Sequence, residues 1–236
     1  MGLIDDLIKE EWFKTPRIIK AFSRIKRADF LPEDMKDLAE ENTALPIGFG
    51  QTISQPQVVA FMLELLQPGA GEKILDIGAG SGWTTALLAE IVGEKGKVFA
   101  LEVIPELKEF GERNVSKYGF ISKGTAEFLC IDGSKGLENR APFDKILVSA
   151  TLAAAKGGKE DLSSLTAAVK LPEAWKKQLR IDGRIVVPIN SSIWLFIKKK
   201  EEKGDKPKAH LHSASRSFVF KEKEYPGFVF VPLVEK

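Results

Sequence analysis

The chain has 236 residues, of which 44% are hydrophobic and 29% charged, enough to bury one substantial core and ordinary for a globular protein. A formal net charge of +2 is too small to imply a nucleic-acid partner, and a single cysteine excludes an internal disulfide framework and fits a reducing compartment. With no apolar run long enough for a bilayer and no signal-peptide core at the N-terminus, the expectation is a cytoplasmic protein without a membrane partner.

Residues 1–66 read as a helical, loop-rich segment. Its amphipathic positions Ile18, Ile19, Ala21, Phe22 and Ile25 are expected to cover the protein's own core, in a monomer. The stretch Ala44–Pro56 is turn-rich and glycine-bearing, and it leads into a helix over Val58–Leu66. Ser54 and Gln57 have capping-box spacing, so the Ser54 hydroxyl has a purely structural candidate role at the start of that helix.

Residues 71–190 alternate strands with helices. Ile74, Leu75 and Ile77 make a short apolar strand that ends in the turn Gly78-Ala79-Gly80-Ser81-Gly82, and Thr84–Ala89 continue as a helix. Glycines between a strand and a helix let a ligand lie against the main chain. A dinucleotide turn needs its third glycine one residue later than Gly82, at the position of Trp83. Asp76 adds a carboxylate that would repel a pyrophosphate and attract an ammonium group, so the turn favours S-adenosylmethionine over a nicotinamide dinucleotide. Further strands are expected at Gly96–Glu102, ending in a candidate ribose acceptor, at Glu127–Gly133, ending in an Asp132-Gly133 turn suited to an adenine edge, at Pro142–Ala150 and at Gly183–Pro188. Cys130 reads as a small core residue inside the Glu127–Gly133 strand.

Residues 191–236 read as β-rich. Ile193–Ile197, Ser217–Phe220 and Phe228–Leu233 are expected as antiparallel strands joining the sheet edge, with Lys198–Lys200 at a solvated hairpin tip. His210 and His212 fall at alternate positions of a C-terminal strand, and no metal-ligand set accompanies them. The sum is one α/β domain with a Rossmann-like, mostly parallel doubly wound sheet and an antiparallel C-terminal edge.

The run Leu45-Pro46-Ile47-Gly48 to Gly50-Gln51-Thr52-Ile53-Ser54-Gln55-Pro56, the loop Asp76–Gly82, Ala141-Pro142-Phe143-Asp144 and the closing Phe230-Val231-Pro232-Leu233 together resemble the protein-L-isoaspartate O-methyltransferases, over nearly the full length. The resemblance implies a class I S-adenosylmethionine-dependent methyltransferase fold and methylation of isoaspartyl residues in damaged proteins and peptides, initiating repair through a succinimide. It assigns Ser54 to the catalytic position, and Thr52, Ile53, Asp76, Gly78, Ala79, Gly80, Glu102, Val103, Asp132 and Gly133 to the cofactor. One departure is the stretch Thr151–Lys170, inserted before the family-like Leu171–Trp175 at the end of the fourth strand, where the acceptor is expected. Another is Asn190, where glycine is common in the family. The insertion keeps two alternatives open: the same scaffold acting on another carboxylate or small molecule, and a nonenzymatic cofactor-binding module.

Overall fold

A computed structural model describes residues 2–152, 171–201 and 218–233. Two short helices, α1 (Leu3–Lys9) and α2 (Pro16–Arg24), open the chain. The start of α2 is capped from a distance: Glu64, in helix α3 (Pro56–Leu66), accepts the main-chain N–H groups of Lys14 and Thr15 at 2.8 and 2.7 Å and the Thr15 hydroxyl at 2.8 Å. These bonds anchor the residues just before α2, and the one from Thr15 satisfies a donor that a helix start leaves without a partner. Ile18, Ala21, Phe22 and Ile25 are buried in the main core, as their spacing predicts.

The turn-rich run before α3 is a two-stranded hairpin, β1 (Leu45–Gly48) against β2 (Gln51–Ile53). Phe49 and Gly50 form its two-residue loop with φ of 54° and 70°, the handedness that tight hairpin turns demand. Phenylalanine is strained in this region, and its ring is 58% exposed.

The main sheet contains β3 (Lys73–Ile77), β4 (Lys97–Glu102), β5 (Ala126–Cys130), β6 (Phe143–Val148), β7 (Leu179–Ile189), β8 (Ser192–Lys200) and β9 (Phe218–Pro226). Their order is β5-β4-β3-β6-β7-β8-β9. The first five are mutually parallel, whereas β8 and β9 add antiparallel. Helices α4 (Trp83–Val92), α5 (Pro105–Ser116) and α6 (Glu173–Gln178) pack against the sheet. Side chains alternate across the sheet. Ile74, Leu147 and Val186 join the core built with α2, α3, α4 and α5, while Leu75, Ile146 and Ile185 join a second core with Trp175 of α6. The order reverses between β3 and β6, which opens a crevice at their carboxyl ends.

Five expectations change. The third strand stops at Cys130, so Asp132-Gly133 lies beyond it; Cys130 is exposed because β5 is the sheet's outer strand and the residue stands at its end. Lys198 is not at a hairpin tip. It is buried in β8, where its ammonium donates to the carbonyls of Lys176 and Leu179 at 2.6 Å each, and burial lowers its pKa. Phe228–Leu233 forms no ladder; it is a strap held by bonds from Thr151 N–H to the Val231 carbonyl and from Leu233 N–H to the Thr151 carbonyl. Ser54 does not cap α3, whose N-cap is Gln55 with no side-chain bond, and the Gln57 N–H is taken instead by Asn42 Oδ1 at 3.1 Å. The insertion beyond Leu152 and both histidines lie outside the described residues.

Candidate active site

The crevice is an open cleft, with about 720 Å³ of empty space that includes open solvent. Its floor is the glycine turn after β3. Gly78 and Gly80 have φ of 77° and 53°, a region that side-chain-bearing residues rarely adopt, while a Cβ on Gly78 would make only ordinary contact with the Ala150 methyl at 3.6 Å. Any ligand on this floor therefore meets main chain rather than side chains. The turn is held from below by α5. A Cβ on Gly111 would fall 2.6 Å from the Gly80 carbonyl, a Cβ on Gly82 would fall 2.8 Å from the Gly111 carbonyl, and Asn114 donates to the Ser81 carbonyl at 3.1 Å.

Glu102 ends β4 at one side of the cleft, 6% exposed. Its Oε1 accepts from the N–H groups of Val103 and Ile104 at 2.8 and 3.0 Å, and its Oε2 accepts from Gly80 N–H at 2.9 Å. A carboxylate offers about four lone-pair positions, so one remains on Oε2 for a hydroxyl of a ligand. Glu102 also ties its own strand to the glycine turn.

Of the residues expected at the site, Thr52, Ile53, Ser54, Gly78, Ala79, Gly80, Glu102, Val103 and Gly133 all line this one cleft. Asp76 and Asp132 do not. Asp76 shares the face of Ile74, toward α4, and is fully buried there; its Oδ2 accepts from the hydroxyls of Thr84 and Thr85 at 2.9 and 2.7 Å. Burial, only partly offset by those hydroxyls and reinforced by the charge of Glu102, pushes its pKa up to about 6. The Asp132 carboxylate folds back to accept from Ser134 N–H at 2.8 Å and caps a short 3₁₀ turn. Its neighbour Gly133 is pinned between Ile77 and Trp175, whose indole donates to the Gly133 carbonyl at 2.8 Å.

The cleft also holds residues that were given no site role from the sequence. Ser149 and Ala150 come from the carboxyl end of β6, Trp83 and Thr84 from the start of α4, and Val231, Pro232 and Leu233 from the strap. Ser149 Oγ and Trp83 Nε1 are buried polar atoms with no partner in the protein, a state that a bound ligand or water relieves. A cue for Ser149 was its place just past an apolar strand at the switch point. The strap belongs to the family-like closing run Phe230–Leu233, but nothing local placed it at the cleft, since it is held there by main-chain bonds to Thr151.

Glu102 is the only acidic or basic side chain lining the cleft among the described residues. The described residues can bind through main chain and hydroxyl groups, align reactants and exclude water, but none of them is a free general base.

Residues 1–234 match the family model described as protein-L-isoaspartate(D-aspartate) O-methyltransferase. A protein-L-isoaspartate O-methyltransferase of Ignicoccus hospitalis is 36% identical, over 99% of this chain and 96% of its own length. One from Aeropyrum pernix is 41% identical over 81% of this chain, which spans 66% of that relative. A solved protein-L-isoaspartate O-methyltransferase superposes with a TM-score of 0.70 at 30% identity, covering 84% of this chain and 59% of its own. The chain thus belongs to the protein-L-isoaspartate(D-aspartate) O-methyltransferase family.

Proposed function

We infer that this protein transfers a methyl group from S-adenosylmethionine to the α-carboxylate of L-isoaspartyl residues in damaged proteins and peptides, the first step of their repair through a succinimide. The observation that carries this reading is the meeting of two separate sequence elements in one cleft: the hairpin residues Thr52, Ile53 and Ser54, and the glycine turn with Glu102.

The cofactor supplies an electrophilic methyl on a sulfonium. The chain's residues fit it: main chain at Gly78, Ala79 and Gly80 would cradle it, the remaining lone pair of Glu102 Oε2 would accept from a ribose hydroxyl, and Gly133 with Ile131 would flank the adenine. Asp76, buried behind the turn, would contribute negative charge there. Ser54 stands on the acceptor side, its hydroxyl unspent on helix capping and free to orient the substrate carboxylate. That carboxylate has a pKa of about 3.5 and is already ionised at neutral pH, so no proton need be removed. Ile47, Ile53, Val231 and Leu233 wall the cleft with apolar surface and keep water from solvating the anion.

The same reading makes residues 1–236 a single methyltransferase domain acting as a cytoplasmic monomer, with neither nucleic acid nor membrane as partner. Its lone cysteine and net charge of +2 support this. Among the described residues no helix is long and apolar enough to cross a membrane.

A second reading, methylation of a different carboxylate or small molecule, is favoured by one observation. Thr151 and Leu152 leave the end of β6 beside the strap that walls the cleft, and the inserted stretch follows them. Incubation with methyl-labelled S-adenosylmethionine and matched isoaspartyl and aspartyl peptides decides between the two. Ester on the isoaspartyl peptide alone is the expected result; labelling of neither refutes the repair reading.

A further inference from the structure

Arg27 begins a short 3₁₀ turn yet is only 5% exposed. Its guanidinium donates to four main-chain carbonyls: Nη1 to Ala39 at 3.1 Å and Glu41 at 3.0 Å, and Nη2 to Thr43 at 2.6 Å and Ser54 at 3.3 Å. Its central carbon lies 5.4 Å from the ring centre of Trp83, which lines the cleft from the start of α4. Thr43 stands two residues before β1 and Ser54 immediately after β2, so one planar fork ties both stems of the hairpin. Asn42 adds a second tie, bonded through its side chain to Gln57 and through its carbonyl to Gln55.

The arrangement carries a cost. Nε has no partner, and burial, partly opposed by the charge of Glu40, lowers the pKa of Arg27 to about 10. A buried cation whose bonds all end on the hairpin stems and the segment before them is placed to fix main chain rather than to neutralise an acid. Lysine is no substitute, because its three donors radiate from one nitrogen and cannot span four carbonyls in a plane.

We propose that Arg27 is a positioning residue for methyl transfer: it locks the main chain of Ser54 against the Trp83 wall, and so sets where the Ser54 hydroxyl meets the substrate carboxylate. This rests on the function proposed above. Arg27 touches neither substrate nor cofactor; its effect passes through the hairpin.

The test compares the full-length wild type with Arg27→Lys and Arg27→Met in three measurements: steady-state methylation of an isoaspartyl peptide, calorimetric binding of S-adenosylhomocysteine, and amide hydrogen exchange over residues 43–57. For a displacement of about 1 Å at Ser54, Arg27→Lys is expected to lose about 10- to 100-fold in kcat/KM for the peptide. Its affinity for S-adenosylhomocysteine should fall by no more than about threefold, because the glycine turn and Glu102 are untouched and, of the residues expected to hold the cofactor, only Thr52 and Ile53 lie on the hairpin. Exchange over the hairpin should quicken, and Arg27→Met should fall further, so that lysine rescues part of the loss. Should Arg27→Met fail to fold, Arg27→Lys alone decides. Wild-type kinetics in Arg27→Lys, or a loss of cofactor affinity in parallel with turnover, overturns the proposal. A wild type inactive on isoaspartyl peptides instead overturns the function, and unchanged exchange in Arg27→Lys then shows separately that Arg27 does not hold the hairpin.

Discussion

Asp76→Asn is expected to stabilise the ligand-free protein at neutral pH, although Asp76 lies just before the cofactor turn. The carboxylate is fully buried, it accepts two threonine hydroxyls through Oδ2, and Oδ1 has no partner. Burial is the largest cause of its raised pKa, from 3.8 to about 6. At 1.36 kcal/mol per tenfold change, that rise corresponds to about 3 kcal/mol of penalty on the ionised folded state. Because the folded pKa lies above the unfolded one, the stabilising contribution of the protonated acid is complete below pH 3.8 and is lost as pH rises through about 6. Asparagine keeps an acceptor for Thr84 and Thr85 and removes the charge. Its amide leaves a buried donor unpaired, at a cost of about 1–3 kcal/mol that does not vary with pH. The pH-dependent part is therefore the clean quantity: between about pH 4 and about pH 8 the variant should gain about 3 kcal/mol on the wild type. Urea unfolding of both proteins without ligand, across that range, measures it. Parallel stability profiles would refute the reasoning. S-adenosylmethionine, which brings positive charge near the buried acid, should stabilise the wild type more than the variant.

Gly111→Ala should weaken S-adenosylhomocysteine binding, since its methyl would sit 2.6 Å from the Gly80 carbonyl; overpacking of this kind costs about 1–3 kcal/mol, read by calorimetry and thermal melting. Gly69→Ala is the control, its nearest contact being the Glu72 side chain at 3.4 Å, and it should match the wild type in binding. Ser54→Ala is expected to lose about 10- to 100-fold in turnover of an isoaspartyl peptide. Its stability should stay within about 0.5 kcal/mol of wild type because the hydroxyl caps no helix, and a loss nearer 1 kcal/mol in chemical denaturation would restore the capping role. Glu64→Gln should destabilise the fold by about 1–2 kcal/mol, as it weakens charge-assisted bonds to the Lys14 and Thr15 N–H groups, with cofactor affinity unchanged.

The parallel sheet was legible because its signals are local: apolar runs ending in glycine or acid, separated by helical stretches. So was the glycine turn, and Glu102 as the end of its strand. What sequence could not supply was the direction of a side chain or the identity of a distant acceptor. Asp76 looked like Glu102 in sequence, but strand alternation turns it toward α4. Lys198 looked like part of a solvated cluster, because the carbonyls that bury it come from residues 176 and 179. Cys130 looked internal because nothing local reveals that β5 is the outer strand. Arg27 had no signature at all, since each of its partners is a main-chain oxygen available in any sequence.

That last case bears on how the site works. With Glu102 as the only ionisable group on the described wall, and three main-chain N–H groups already bound to it, little remains for side-chain acid–base chemistry to contribute. An ionised acceptor attacking a sulfonium methyl asks chiefly for alignment, and alignment here is a property of main chain: the glycine turn against Gly111, the Gly133 carbonyl against Trp175, the hairpin stems against Arg27. Changes that move this main chain should therefore cost more turnover than equal changes in charge at the surface. The residues that matter most for rate then include several that never reach the reacting atoms.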